Sequence, residues 1–483
     1  MRVATQPAPP APSRFDPPPS GRSPSANLAP RDVEALGADL LAYHALFQHC
    51  FQRTEQRVWS LAYLHGQLLD LDRKSIEPMA LALADGNVQA MQEFISVSPW
   101  DDDAVLQQHQ VLVAETLGDR ATGVLILDGC DFPKQGQHSV GVARQWCGAL
   151  GKVANCQASV VAAYASARGY TLVDRRLFLP EAWFTDAYAA RRMACRVPTE
   201  VTYQTHNALA WDLIRLLHER RVLPFGWVAF DEAVGRDTVL LDRVDGLGLS
   251  YLAEVPHDTH VWRVRPETAV PPAKRRGRRP RRVRVCPEAA PPVRVDTLAA
   301  SLPRAAWRRR VIKEGAKGPI VAEVARVRAV AVRAGLPGPA VWVVFRRSLG
   351  ATPELKTYLS NASVVTPLGT LVRLSGMRWP VESAIEEGKG EVGLDQYEVR
   401  GWRGWHHHLT LSFLAHHFLV RQRCRLGGEI TGAHGAPSAG VAAGHPAEAV
   451  IGCRDRVGNH GLHPSPELQG VPVASTLHAP GPR

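Results

Sequence analysis

From Asp32 to Gly118 apolar residues return at spacings of three, four and seven, through Leu36, Leu40, Phe47 and Phe51 and then Trp59, Tyr63 and Leu64. That period predicts an all-helical N-terminal domain over residues 32–118. Inside it, Ser75 to Ala84, a break at Asp85-Gly86-Asn87 and a second run from Val88 to Ile95 predict two short helices joined by a tight turn. Such a pair reads DNA in some proteins, but packing alone is its commoner use. At residue 122 the period changes. Gly123 to Asp128 is a short apolar run ending in an acid, followed by strand candidates at Ser139–Trp146 and Ala158–Ser166. Asn207 to Arg221 reads as a helix through Leu209, Leu213, Leu216 and Leu217, and Gly226 to Asp231 repeats the apolar strand ending in an acid. Further strands are expected at Tyr251–Val255 and Val341–Arg346, and a helix opens at Pro380, where proline's fixed φ suits a first turn.

Composition changes this picture at both ends and in one internal segment. Residues 1–31 hold nine prolines among Ser, Ala and Arg, a mixture that buries too little apolar surface to offset chain entropy. After Leu426, residues 427–483 are Gly, Ala, Pro and His without period, and read as a disordered or degenerate tail. Eight of the eleven positions from Lys274 to Arg284 are basic, which marks an inserted, solvated segment.

The chain carries 57 Lys and Arg against 46 Asp and Glu, a net charge of +11. This favours a polyanionic partner, nucleic acid before an acidic membrane surface. Its eight cysteines are scattered without a CxxC pair, so neither a zinc ribbon nor a disulfide framework is indicated, and reduced thiols are expected. No run of 18 apolar residues and no secretory leader is apparent, so cytoplasmic residence is the expectation.

Candidate chemistry lies in three acids. Asp128 and Asp231 each end an apolar strand, where α/β sheets place their chemistry. On the late helix Arg378, Glu382, Glu386 and Lys389 follow at intervals of four, four and three, sharing one face. Hard divalent cations want oxygen ligands, and phosphoryl transfer wants two of them about 4 Å apart. Cations beside such acids would offset phosphate charge. On pattern alone, acids at strand ends and a mixed-charge helix face are common solvated features. Ligating acids are expected to be ionised without shifted pKa values. The triplet His406-His-His408 reads as a helix start beside Trp405 rather than a metal site, and Trp402 and Trp405 read as core.

Four stretches carry a family resemblance: Leu127-Asp-Gly-Cys-Asp-Phe-Pro-Lys134 with Ser139-Val-Gly-Val-Ala-Arg-Gln145; Trp227-Val-Ala-Phe-Asp231; Gly388 to Arg400; and Trp402-Arg-Gly-Trp405. Over about residues 35–425 the chain resembles bacterial insertion-sequence transposases of the DDE superfamily, in the branch related to those that excise by hairpin formation. The family's late-helix signature is Tyr, two residues, Arg, three residues, Glu, six residues, Lys. Arg378, Glu382 and Lys389 satisfy it, with Ser375 at the tyrosine position; Gly129 and Val234 also depart from the usual pattern. The resemblance implies that Asp128, Asp231 and Glu382 hold catalytic Mg²⁺ (or Mn²⁺), while Arg378 and Lys389 meet DNA phosphates. By the same logic the basic run, Lys274, Arg275, Arg276, Arg278 and Arg279, would contact DNA backbone.

The expected fold is α/β: a ribonuclease-H-like catalytic domain over 119–426 with a β-rich insertion at about 257–370, preceded by the helical DNA-binding domain. The expected function is DNA cleavage and strand transfer at insertion-sequence ends, on double-stranded DNA and as a homodimer, with no membrane partner. An impaired relic that only binds inverted repeats stands as the alternative, and Glu386 or Glu387 as alternative third ligands. A generic metal nuclease and a sugar-cleaving carboxylate hydrolase are the remaining readings, the last having no use for cations beside its acids.

Overall fold

In the computed structural model the described residues are 30–272, 281–313, 318–350 and 352–426. The proline-rich run before residue 30, the tail after residue 426 and the basic residues Lys274, Arg275, Arg276, Arg278 and Arg279 lie outside them.

Five helices open the described chain: α1 (Pro30–Ala45), α2 (Thr54–Leu68), α3 (Ile76–Leu81), α4 (Val88–Ser96) and α5 (Asp102–Leu117). Their starts follow local chemistry. Asn87 accepts from the Ala90 N–H at the head of α4, and Asp101 accepts from the Asp103 and Ala104 N–H groups at the head of α5. The expected helical hairpin is α3–α4, and α4 turns Met91, Phe94 and Ile95 inward.

The sheet begins with β1 (Val124–Pro133), β2 (Ala143–Cys147), β3 (Lys152–Ser166) and β4 (Gly169–Phe178). After two helices, α6 (Ala189–Ala194) and α7 (His206–Arg220), come β5 (Trp227–Phe230), α8 (Glu232–Gly235), α9 (Thr238–Gly246) and β6 (Ser250–Val255). β1, β5 and β6 run parallel side by side, β3 lies antiparallel on the other edge of β1, and β2 and β4 share the far edge of β3.

Six further strands continue this sheet: β7 (His260–Trp262), β10 (Val293–Arg294), β11 (Arg308–Lys313), β12 (Ile320–Arg333), β13 (Leu336–Ser348) and β14 (Leu355–Ser360). A two-residue pair, β8 (Thr268–Ala269) with β9 (Arg284–Val285), stands apart, and α10 (Val295–Ala300) follows β10. β14 pairs antiparallel with β6, so the stretch expected as a β-rich insertion extends the central sheet edge to edge. The chain closes with α11 (Leu368–Ser375), α12 (Trp379–Val392) and α13 (Trp402–Arg425).

One expected strand is displaced. Ser139 to Val142 form a turn in which Gly141 takes φ +73° and Val140 donates its N–H to the Arg400 carbonyl, so β2 starts only at Ala143. Val140 and Val142 are fully buried, which explains their apolar character without a strand.

The sheet separates two cores. On one face Val124, Ile126, Cys130 and Phe132 of β1 pack with α12, α13 and the N-terminal helices; on the other Leu125 and Leu127 pack with α7 and α9. Helix α13 runs through the first core. His406, His407 and His408 are its second turn, not its start, and Trp405 is fully buried as expected. Beneath β4 the fully buried Asp174 stands 3.0 Å from Arg176, 3.6 Å from Arg175 and 3.9 Å from Arg220, while Arg175 also pairs with Asp102. Buried charges persist only when compensated in this way. Among the described residues the cysteines are free, and no helix is long and apolar enough to cross a membrane.

Burial holds several histidines neutral. His44 and His109 are pushed down to about 4, and His408 to about 3. An unfolded histidine takes its proton near pH 6.5, about two units or more earlier. Stability from these groups is therefore complete above about pH 6.5 and is lost as pH falls toward 4, because only the unfolded chain gains protons in that window. Denaturant melts at stepped pH should show a loss on the order of 2 kcal/mol per buried histidine by about pH 5, before most carboxylates protonate. A flat stability between pH 7 and 5 would contradict this account.

Candidate active site

Alternation along β1 decides where the first acid points. Val124, Ile126 and Cys130 face the core that contains α12, so Asp128, in step with them, faces it too. On the neighbouring parallel strand β5, Ala229 faces the same core, and Asp231, two residues on, continues that side just past the strand end. There it caps α8, accepting from the Val234 N–H at 2.9 Å, which fixes its carboxylate. Glu382 lies in the first turn of α12, behind Trp379 and Pro380. Proline is tolerated there because the first-turn N–H groups have no helical partner.

The three acids meet electrostatically at Asp128. Burial is the largest influence on it and pushes its carboxyl up to about 6; Arg378 pulls down, Asp231 pushes up, the Gly129 N–H at 2.8 Å pulls down and Glu382 pushes up. The expectation of unshifted acids fails here because β1 buries this carboxylate between two others. Arg378 stands 3.2 Å from Glu382 as an ion pair and feels Asp128 and Asp231 as well, so its guanidinium is the local counter-charge. Among the described residues, however, no three His, Cys, Asp or Glu side chains stand close enough together to cage an ion.

The acids of α12 divide by face. Glu382 and Glu386 are exposed, whereas Glu387 accepts from Tyr170 at 2.7 Å and Arg423 at 2.8 Å and meets His416 Nε2 at 3.1 Å. Burial works against its charge, yet His416 and Arg423 hold its carboxyl down to about 2. Glu387 is thereby committed to packing α12 and α13 onto β4. Lys389 donates to the Asp131 carbonyl at 3.1 Å, which sets it at the outer end of β1. Ser375, at the tyrosine position of the signature, is buried and donates to the Val372 carbonyl at 2.7 Å.

Two cations at the site were not singled out from sequence. A cleft of about 320 Å³ beside Glu382 is lined by Lys313, Arg346, Arg378 and Trp379. Lys313 lies 4.7 Å over the Trp379 ring, and Arg346 donates to the Ser375 carbonyl. Both come from strands added by the sheet extension, so their nearness to Glu382 depends on strand pairing. The basic cluster from Arg308 to Lys313 was the local signal for Lys313. The five basic residues from Lys274 to Arg279 expected to meet DNA lie outside the described residues.

Against known proteins, residues 46–319 match the model of the DDE superfamily endonuclease family, more than half of the chain. The chain belongs to that family. The match holds Asp128 and Asp231; Glu382 lies beyond it and rests on the late-helix signature and its place beside Asp128. A probable transposase for insertion sequence element IS701 from Microchaete diplosiphon is 34% identical over 94 residues, 19% of this chain and 24% of the relative. The chain thus matches about a quarter of that relative's length. A structure search aligns 82% of this chain with 75% of a piggyBac transposase in a synaptic complex with hairpin DNA, at 8% identity and a TM-score of 0.37.

The division of α12 is open to measurement. Glu387→Gln strands the partners His416, Tyr170 and Arg423 and should lower unfolding stability by about 1–3 kcal/mol. The exposed Glu382→Gln should change it by about 0.5 kcal/mol or less. Urea denaturation of the two variants checks this, and equal losses would refute the assignment.

Proposed function

We propose that this chain is a transposase that cuts and rejoins double-stranded DNA at the ends of its mobile element, with Asp128, Asp231 and Glu382 as the acids of its site. The observation that carries the reading is the convergence of these three acids on one sheet face around Arg378. The strand order β4-β3-β1-β5-β6, with β1, β5 and β6 parallel and β3 antiparallel, supports a ribonuclease-H-like core. The helices of residues 32–118 are the proposed reader of the inverted repeats. A homodimer on DNA is proposed because two ends must be paired.

An all-oxygen donor set suits Mg²⁺ or Mn²⁺, and like-charge repulsion at Asp128 is what a divalent cation would relieve. Asp128, Asp231 and Glu382 would hold it, after Glu382 exchanges its pairing with Arg378. Bound there, a metal pair would activate the attacking oxygen and stabilise the leaving one in an in-line displacement at phosphorus. The chain's own part is placement. Asp231 is fixed by its cap, Arg378 and Lys313 neutralise phosphate charge at the rim, and Lys389 binds backbone beyond β1.

The test is cleavage of a labelled duplex carrying the element's own end, with Mg²⁺ or with EDTA. Metal-dependent nicking at the end, lost at least a hundredfold in Asp231→Ala, is the expected result. Because a protonated Asp128 cannot ligate, metal binding should weaken as pH falls below about 6, and nicking at limiting Mg²⁺ should fall with it. Binding of the duplex without any metal-dependent cut would leave only the relic. A cut duplex with no joined product would reduce the function to a nuclease.

A further inference from the structure

Charge is divided unevenly along the chain. Residues 32–118 hold four Lys and Arg against thirteen Asp and Glu, whereas residues 304–356, from the turn before β11 into β14, hold twelve against three. A DNA backbone is held chiefly by Lys and Arg that neutralise its phosphates. The N-terminal helices can offer base contacts but little backbone affinity, and the sheet extension is the basic footprint. Strand register decides which of its cations are free and which way they face.

Directly paired residues of an antiparallel sheet project to one side. Arg308 pairs with Val324, Val324 with Arg346 and Arg346 with Lys356, so one row crosses β11, β12, β13 and β14. The next row pairs Arg310 with Ala322 and Ala322 with Ser348. Arg346, Ala322 and Ser348 line the cleft that holds Glu382 and Arg378, so both rows lie on the side of that cleft. At about 4.8 Å between strands, the Arg308 backbone stands about 10 Å from that of Arg346, and Arg310 about 5 Å from the cleft floor. The acids lining the cleft are already paired: Lys356 stands 3.1 Å from Glu254 and 3.9 Å from Glu354, and Arg378 holds Glu382. Arg308 and Arg310 are exposed and have no ion pair among the described residues. Arg309, between them, turns to the other side, 3.9 Å from Glu323, which Arg347 also holds at 2.6 Å.

We infer that the cleft-side face of β11 is a DNA-backbone contact: Arg308 and Arg310 bind phosphates of the duplex held at the candidate acids, continuing the line of Lys313 and Arg346 to the edge of the sheet. β11 has only β12 beside it, and edge strands also carry charge to block strand-on-strand pairing. That use is indifferent to face, whereas here the two arginines without an acid are those on the side of the cleft. The inference rests on the reading that the site acts on double-stranded DNA.

The test measures binding of the full chain, in EDTA and across a salt series, to a labelled duplex carrying the element's own end and to an unrelated duplex of equal length. The double variant R308Q/R310Q should bind both duplexes more weakly by the same factor, at least about tenfold, and should flatten the slope of log affinity against log salt by about 2. R304Q/R309Q removes the same charge next to Glu323 and should leave the slope unchanged. R308K/R310K keeps the charge and should keep the slope, which separates phosphate contact from a fault in folding. Wild-type affinity and slope in R308Q/R310Q would overturn the contact while leaving DNA binding intact, and self-association of that variant by light scattering would then make the arginines an edge guard. Equal flattening by R304Q/R309Q would reduce the effect to net charge and would also overturn it. Wild-type protein that binds neither duplex would instead overturn the DNA reading itself, and the contact with it.

Discussion

The structure depends on burying α13, a 24-residue helix with polar side chains on its hidden faces. A buried polar atom without a partner costs about 1–3 kcal/mol, so most of these side chains take one. They find them on different elements. His408 Nδ1 meets the Tyr63 hydroxyl of α2 at 2.8 Å, Ser412 accepts from Gln67 of α2 at 2.7 Å, His417 meets Tyr43 of α1 at 3.2 Å, and His416 meets Thr171 of β4 at 3.0 Å. One helix thereby ties the N-terminal helices to the sheet, and Leu40 through Leu106 share a core with β1, β4 and α12.

That tie also positions the acids. Held by Glu387 and His416 against α13 and β4, α12 presents its other face, with Glu382 and Arg378, toward the side of β1 that carries Asp128. The helix ends at Gly393, in the left-handed region at φ +67°, where an added Cβ would come within 2.7 Å of Lys74. From there the chain turns back to place Tyr397 against Phe132 and Gln157. The stretch from Gly388 to Arg400 thus reads as the turn that seats α12 beside β1, and Gly388 and Gly393 answer to that geometry.

Electrostatics sets the balance within the site. A carboxylate on a central strand, pressed by two others, is expensive in its charged form unless a cation stands by. Arg378 serves that role here. It pairs with Glu382, and among the described residues the acids form no ready three-acid cage.

Much of this was legible in the sequence. The periods of residues 32–118, the runs ending at Asp128 and Asp231, and the spacing of Arg378, Glu382 and Lys389 are local patterns, and local patterns follow directly from 3.6-residue and two-residue repeats. Long-range pairing had no such signature. β4, where charged Asp174, Arg175 and Arg176 interrupt the alternation, is a strand because those charges satisfy one another beneath the sheet. β12, an Ala- and Arg-rich strand, is sheltered by Arg326 and Arg328 over Trp342 at 4.1 and 5.3 Å. The commitment of Glu387 to packing, the raised carboxyl of Asp128 and the nearness of Lys313 and Arg346 to Glu382 were decided only by tertiary structure. Each depends on which atoms distant segments bring within a few ångströms, and burial and charge act through those distances rather than through spacing along the chain.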